Sequence, residues 1–189
     1  MSGGGATVPA MARLWTGKGD DGTSGLLHGG REPKHAPRFD AIGAVDEAQA
    51  ALGVARAEVP RGSELDEILV GLQRDLWVLM AEVATAEEHR DRLVPEASLV
   101  TEGMVDRLGR LADEVGGRFE PPREFVVPGQ DRTSALLDLA RTVVRRAERA
   151  AAAVAVPGSQ VVPYLNRLSS VVWTLARWVE GEPLTARGG

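Results

Sequence analysis

The chain has 189 residues, of which 43% are hydrophobic, only 4% are aromatic and none is cysteine. This length favours a single domain with its own core, while the lack of cysteine excludes disulfides, thiolate catalysis and zinc–cysteine sites. The 22 lysines and arginines against 27 acidic residues give a formal net charge of −5, which argues against a general binder of nucleic acid or of anionic membranes.

The N-terminal end is predicted to be a disordered leader over residues 1–12, since it is rich in glycine and lacks the charged and apolar regions of a signal peptide. We expect one domain over residues 13–183, followed by a tail at 184–189. No apolar run approaches the length of a membrane span, so we predict a cytoplasmic enzyme without membrane contact.

Residues 14–37 carry six glycines and no periodic apolar stripe, so they are predicted to form a loop that can hold a ligand. The G-x-G-x-x-G pattern at 17–22 formally matches a dinucleotide-binding fingerprint, but no strand precedes it and further glycines oppose a following helix. The P-loop pattern fails as well, because no Gly-Lys-[Ser/Thr] ends the segment. Backbone amides and polar side chains could still surround phosphates. These side chains are Thr16, Lys18, Thr23 and Ser24.

Apolar residues at helical spacing predict five helices, over about residues 40–59, 63–83, 98–115, 131–154 and 163–179. The second is the clearest, because a Ser63-x-x-Asp66 capping signal precedes a long apolar stripe. Short connections between long helices indicate an all-α, up-and-down bundle.

The fourth predicted helix concentrates charge on one face. Arg141, Arg145 and Glu148 have i, i+4, i+7 spacing and therefore lie within a narrow arc, beside an apolar stripe. Such a face needs an anion or a partner. A simpler interpretation also stands, in which Arg145 forms an ordinary surface ion pair and Glu148 balances it at i+3.

Six blocks of sequence, taken together and in order, resemble the ATP:cob(I)alamin adenosyltransferases of the propanediol-utilisation type. The likeness extends from about residue 14 to residue 179. The blocks are TGKGDDGT at 16–23, Lys34, GAVDE at 43–47, FVVPG at 125–129, RTVVRRAER at 141–149 and YLNRLS at 164–169. Blocks at both ends of the chain are far more specific than any one alone.

This resemblance implies a homotrimer of ferritin-like five-helix bundles with active sites between subunits. The implied reaction moves the 5′-deoxyadenosyl group of ATP to the Co(I) of reduced cobalamin and releases triphosphate. Mg²⁺ would bind through the ATP phosphates, with Glu148 as a candidate ligand. A flavoprotein reductase and a B12-dependent mutase or dehydratase are the implied partners. The residues implied to bind ATP are Thr16, Lys18, Gly19, Asp20, Gly22, Thr23, Lys34, Arg145, Glu148 and Asn166.

The resemblance also implies roles outside the nucleotide site. Asp46 and Arg141 match a pair that joins neighbouring subunits, and Phe125 matches an aromatic that packs under the corrin and displaces its lower axial base. The simpler view of Phe125 is a loop aromatic that plugs the bundle end. Ser170 is expected to face the corrinoid, although relatives commonly carry aspartate there. Arg145, Glu148 and Phe125 are the implied catalytic residues.

Several residues remain open between a structural and a functional interpretation. Asp20 and Asp21 could contact Mg²⁺ or cap a turn. Asn166 could contact ATP, cap a helix or simply be exposed. The histidines are too scattered for a metal site. They are His28, His35 and His89. Three tryptophans are predicted to pack the helical core. They are Trp77, Trp173 and Trp178.

Two other functions compete with the enzyme. A catalytically weak trimer could carry or sense ATP or corrinoid, and the serine at Ser170 favours this alternative. A purely structural bundle could instead use the arginine face only to join its subunits. Of these alternatives, only the structural bundle would show no stabilisation of its fold by ATP.

Overall fold

The computed structural model describes residues 15–187. The predicted leader at 1–12 and the last two residues of the predicted tail lie outside this range. Five long helices form the body: α1 (Pro37–Ala57), α2 (Glu64–Val83), α3 (Glu102–Gly116), α4 (Arg132–Ala152) and α5 (Val161–Glu180). The predicted all-α, five-helix fold is therefore confirmed.

The helix starts follow the capping chemistry of the sequence. Ser63 precedes α2, and its Oγ accepts a hydrogen bond of 3.3 Å from the backbone N–H of Asp66. Thr101 caps α3 in the same way, and Asp131 caps α4. These side chains satisfy amide donors that the first turn of a helix leaves unpaired.

Helix α4 packs against both α1 and α5, while α2 packs on α1 and α3 packs on α5. The connections at 58–63 and 153–160 are short, as expected, and the helices that they join pack side by side. The connection at 84–101 is four residues longer than the predicted 84–97, and it contains a 3-10 helix at Glu87–Arg92. The connection at 117–131 has 15 residues, as many as the predicted helix bounds leave, so neither of these two connections is short. These lengths allow α3 to reach α5. Within the described range, no helix is long and apolar enough to cross a membrane.

The glycine-rich segment is more ordered than a plain loop. It contains two antiparallel strands, β1 (Thr23–Gly25) and β2 (Arg31–Pro33), with Ser24 opposite Glu32. The hairpin is attached to the end of α2, where the Leu27 amide donates to the Ala84 carbonyl at 2.9 Å. Strands of three residues show no alternating pattern, which is why the sequence predicted only a loop.

The prediction for the tryptophans is wrong at two of the three positions. Trp77 is 65% exposed, because it follows Leu76 and lies off the buried stripe of α2. Trp173 is half-buried and lines a surface cavity rather than the core. Trp178 does pack against the core. Spacing along the helix decides burial here, and aromatic character alone does not.

A buried carboxylate joins three parts of the chain at the hairpin end of the bundle. Glu82, only 1% exposed, accepts hydrogen bonds from Arg90 at 2.8 Å, from the Ser159 hydroxyl at 2.7 Å and from the Val100 amide at 2.7 Å. Both carboxylate oxygens are thus satisfied by groups that are distant in sequence. The contact holds α2, the 84–101 connection and the start of α5 together.

Replacing Glu82 by alanine should strongly destabilise the fold. Glu82→Ala leaves the Arg90 guanidinium and the Val100 amide without partners, at a cost of about 3–5 kcal/mol in the free energy of unfolding. Urea denaturation measures this cost. Glu114→Ala is the matched control, since Glu114 forms an exposed ion pair with Arg118 and its loss should cost several-fold less. Equal losses in the two variants would contradict the structural role of Glu82.

Candidate active site

A polar face spans helices α4 and α5. The side-chain amide of Asn166 on α5 donates a hydrogen bond of 2.9 Å to Glu148 on α4. Arg145 is exposed one turn before Glu148, and its side chain has no hydrogen-bond or ion-pair partner within residues 15–187. Its neighbour Arg146 pairs instead with Glu47 on α1. Neither simple ion pair expected for Arg145 and Glu148 forms among the residues that the structure describes.

The turn before β1 is organised by one carboxylate and one guanidinium. Asp21 accepts hydrogen bonds from the Thr23 amide at 2.9 Å and from the Thr23 hydroxyl at 2.8 Å, and these bonds lower the pKa of Asp21. Arg31 donates to the Thr23 hydroxyl at 2.9 Å and to the Lys18 carbonyl at 2.6 Å. Of the two interpretations of Asp21, the structure favours the turn cap. The side chain of Asp20 has no such role.

Glycines give this loop a shape that other residues rarely adopt. Gly17 and Gly22 have φ angles of 66° and 78°, in the region that glycine favours. A Cβ at Gly19 would lie 2.9 Å from the Lys34 ammonium, so the lysine side chain covers that glycine closely. Lys18 and Lys34 are both exposed, as is Thr16. The loop therefore presents two cations and several backbone amides to the solvent.

Phe125 borders a surface cavity of about 520 Å³. Its side chain is 89% exposed, so it does not plug the bundle end. Trp173 and Ala186 contribute other walls. The segment after α5 pairs with this loop, because the Ala186 amide donates to the Phe125 carbonyl at 2.8 Å. Ser170 is exposed on α5, one turn before Trp173.

Asp46 and Arg141 do not form an ion pair with each other in the described part of the chain. Asp46 is exposed on α1. Arg141 is partly buried on α4, and its Nε lies 3.8 Å from Asp138. Each can therefore meet a group from outside the chain.

The loop at 17–34 and the Phe125 loop lie at opposite ends of the bundle. Glu82, at the end of α2, contacts Ser159 just before α5, so the hairpin lies at the start of α5. The Phe125 loop pairs with residues that follow the end of α5. With 20 residues, α5 separates the two ends by roughly 30 Å. One chain cannot place both loops around a single small ligand.

Within residues 15–187, no group of three or more histidine and acidic side chains could hold a metal ion. His28 and His89 lie near each other at the hairpin, since a Cβ at Gly29 would be 3.8 Å from His89 Nε2. They have no carboxylates arranged around them for a metal site.

The sequence from residue 14 to residue 179 matches the family model described as cobalamin adenosyltransferase. A corrinoid adenosyltransferase of Mycobacterium tuberculosis (strain ATCC 25618 / H37Rv) is 38% identical over 186 residues, which cover 95% of each chain. The chain belongs to the cobalamin adenosyltransferase family. The agreement covers both loops and all five helices.

Two further members of the adenosyltransferase family agree with this assignment. The corrinoid adenosyltransferase PduO of Citrobacter freundii is 34% identical over 87% of this chain and 49% of its own length. A solved variant of the PduO-type ATP:corrinoid adenosyltransferase from Lactobacillus reuteri, complexed with cobalamin and ATP, has a TM-score of 0.78. That structure is 25% identical and covers 89% of this chain and 91% of its own.

Some site features of this adenosyltransferase-family chain were missed in the sequence. Arg31 is the only arginine of the glycine-rich segment, and that isolation was its one available signal. Trp173 was assigned to the core although it lines the cavity beside Phe125. The attachment of residues 184–186 to the Phe125 loop had no sequence signal, because backbone pairing depends on the fold.

Removing the Arg31 side chain should loosen the loop without unfolding the protein. Arg31→Ala deletes the hydrogen bonds to Thr23 and Lys18, so hydrogen exchange at residues 18–25 should speed up about tenfold or more. The unfolding temperature should change little, because the loop lies outside the core. Arg123→Ala is the control, since the Arg123 ion pair is exposed in the other loop. Unchanged exchange in Arg31→Ala would contradict the ordering role.

Proposed function

We propose that this protein transfers the 5′-deoxyadenosyl group of ATP to the cobalt of reduced cobalamin, forming adenosylcobalamin and releasing triphosphate. The main support for this proposal is the family match over residues 14–179, which includes both candidate loops. The relatives named above are corrinoid adenosyltransferases, and the Lactobacillus reuteri structure is complexed with both substrates.

The proposed site is formed between subunits of a homotrimer. Bond formation requires cobalt and the 5′ carbon to approach within about 3–3.5 Å. The glycine-rich loop and Phe125 are roughly 30 Å apart in one chain, by the rise of α5. A neighbouring copy that supplies the loop would remove this separation. In the same assembly, Asp46 and Arg141 would pair across the interface.

The proposed reaction is a displacement at carbon. The electron pair of Co(I) forms the bond to C5′, the bond from C5′ to the triphosphate oxygen breaks, and cobalt is formally oxidised to Co(III). Triphosphate leaves with the electron pair and gains negative charge in the transition state. The protein therefore needs to position two reactants and neutralise an anion, and it needs no nucleophile of its own.

Arg145 is proposed to neutralise the leaving group. Its planar guanidinium can donate to two phosphate oxygens at once, and no side chain of the described residues competes for it. Lys18 and Lys34 would add charge from the neighbouring loop. The remaining loop contacts to ATP are proposed for Thr16, Gly19, Asp20, Gly22 and Thr23.

Glu148 and Asn166 are proposed to bind the nucleotide as a unit. Their hydrogen bond uses one Glu148 oxygen and leaves the other available. The free oxygen could coordinate Mg²⁺ that is bound to the ATP phosphates. Such an ion commonly takes only one or two protein carboxylates as ligands. Bound there, the ion would offset phosphate charge, while Asn166 fixes the direction of Glu148.

Phe125 and Ser170 are proposed to face the corrinoid. An exposed aromatic beside a cavity can pack under a large ring and exclude the lower axial base. Without the lower axial base as a ligand, Co(II) would be four-coordinate and easier to reduce.

We further propose a cytoplasmic location, where ATP is abundant. A flavoprotein reductase would supply the electrons, and a B12-dependent mutase or dehydratase would use the product.

One assay separates the proposed enzyme from its competitors. Protein, ATP, Mg²⁺ and chemically reduced cobalamin are mixed, and the light-sensitive cobalt–carbon product is followed by absorbance. Turnover supports the enzyme. Tight binding of ATP or cobalamin without turnover would instead identify a carrier, and no binding would identify a structural bundle.

Arg145→Ala should lower kcat about 100-fold, because it removes a cation that stabilises charge in the transition state. Arg132→Ala is the matched control, since Arg132 is an exposed arginine in the first turn of the same helix. Steady-state kinetics at saturating cobalamin measure both variants, with the oligomer size checked by sedimentation. Normal turnover in Arg145→Ala would reject the proposed neutralising role.

Phe125→Ala should retain ATP binding but lose the spectroscopic signature of four-coordinate Co(II). Val127→Ala provides the control, because it changes the same loop while the backbone pairing with Leu184 remains possible. Electron paramagnetic resonance of cob(II)alamin with protein and ATP reports the coordination number. Persistence of the signature in Phe125→Ala would eliminate this role.

A further inference from the structure

Four charged side chains form a buried row between α4 and α5. They alternate in sign along the row, in the order Glu180, Arg177, Asp138 and Arg141. Their side chains are 0%, 2%, 7% and 32% exposed, respectively. The row therefore begins in the interior near the end of α5 and ends at a partly exposed guanidinium on α4.

Asp138 divides its two oxygens between the two arginines. One oxygen lies 2.5 Å from Arg177, and the other lies 3.8 Å from Nε of Arg141. On its other side, Arg177 Nε lies 3.1 Å from a Glu180 oxygen, which is an ion pair without hydrogen-bond geometry. Because Arg177 is almost completely buried, it fixes the position of Asp138, and Asp138 in turn provides a fixed negative charge beside Arg141.

Arg141 has hydrogen-bonding capacity that no group within residues 15–187 uses. Its Nε is buried without a hydrogen-bond acceptor, since 3.8 Å is too long for such a bond. The solvent-exposed atoms of this side chain are therefore atoms other than Nε. Arg145 follows at i+4 on the same face, and two like charges at this spacing repel each other. A carboxylate behind Arg141 opposes that repulsion.

We propose that Asp138 is a positioning residue, which holds the Arg141 guanidinium in place for an acceptor across the subunit interface. Arg177 anchors Asp138 from the buried side. This inference rests on the proposed function, in which Arg141 meets Asp46 of the partner subunit beside the nucleotide. Asp138 itself touches neither substrate, and its effect passes through Arg141.

Kinetics with ATP as the varied substrate test this inference in the full-length protein. Asp138→Asn keeps the size of the side chain but removes its charge, so KM for ATP should rise about tenfold while kcat changes less than about threefold. In an Arg141→Ala background the same substitution should add no further increase, because Asp138 acts through Arg141. A purely structural role would not depend on that background.

Glu180→Gln is the matched control. It removes another buried carboxylate from the same row but leaves the contact of Asp138 with both arginines, so KM for ATP should stay within about twofold of the parent value. Equal increases in Glu180→Gln and Asp138→Asn would overturn the inference. So would an increase from Asp138→Asn that persists in full when Arg141 is absent.

The failures of this inference and of the proposed function are distinguishable. If Arg141→Ala leaves KM for ATP unchanged, the proposed interface pair fails and the inference falls with it. If Arg141→Ala raises KM but Asp138→Asn does not, the inference alone fails.

A second variant covers the case in which circular dichroism shows that Asp138→Asn is unfolded. Asp138→Glu keeps the negative charge near Arg177 but changes its position. That variant should raise KM at least threefold only while Arg141 is present, and an unchanged KM overturns the inference.

Discussion

The packing of α4 between α1 and α5 is the constraint on which the rest of the structure depends. The apolar residues of α4 that face these neighbours are small or aliphatic and almost completely buried. They are Leu137, Ala140, Val144, Ala147 and Ala151. Rotating the helix by one residue, about 100°, would bury charged side chains and expose the stripe. The stripe therefore fixes the directions in which Arg141, Arg145 and Glu148 leave the helix.

Two buried ionic clusters complement this apolar packing, one at each end of α5. Glu82 closes the end that carries the hairpin, and the Arg177–Asp138 pair lies toward the end that carries the Phe125 loop. Burying charge is costly, and here each buried carboxylate lies against a guanidinium of opposite charge. Few other arrangements would keep these pairs together. They hold the ends of the helices in register. Two loops that need defined positions are thereby attached to rigid supports.

The sequence predicted the five helices, and local spacing also brought some of the candidate site residues onto one helix face. Periodic apolar residues located the buried stripes, and the i, i+3 relation placed Arg145 beside Glu148. The bond between Glu148 and Asn166 was not predictable, because it depends on the register of α4 against α5. Glu82 likewise meets partners from two other segments, the 84–101 connection and the residues before α5. Trp77 is exposed although it is aromatic, because its place on α2 lies off the buried stripe.

The order within the glycine-rich loop has an energetic consequence for ligand binding. A loop of glycines normally loses much conformational entropy when it closes on a ligand, and that loss weakens binding. Here Asp21, Thr23 and Arg31 already fix the turn by hydrogen bonds within the chain. Positive φ angles at Gly17 and Gly22 keep the backbone in a shape that other residues would strain to adopt. Much of the ordering cost is therefore met during folding, so a ligand that binds this loop would not first have to organise it.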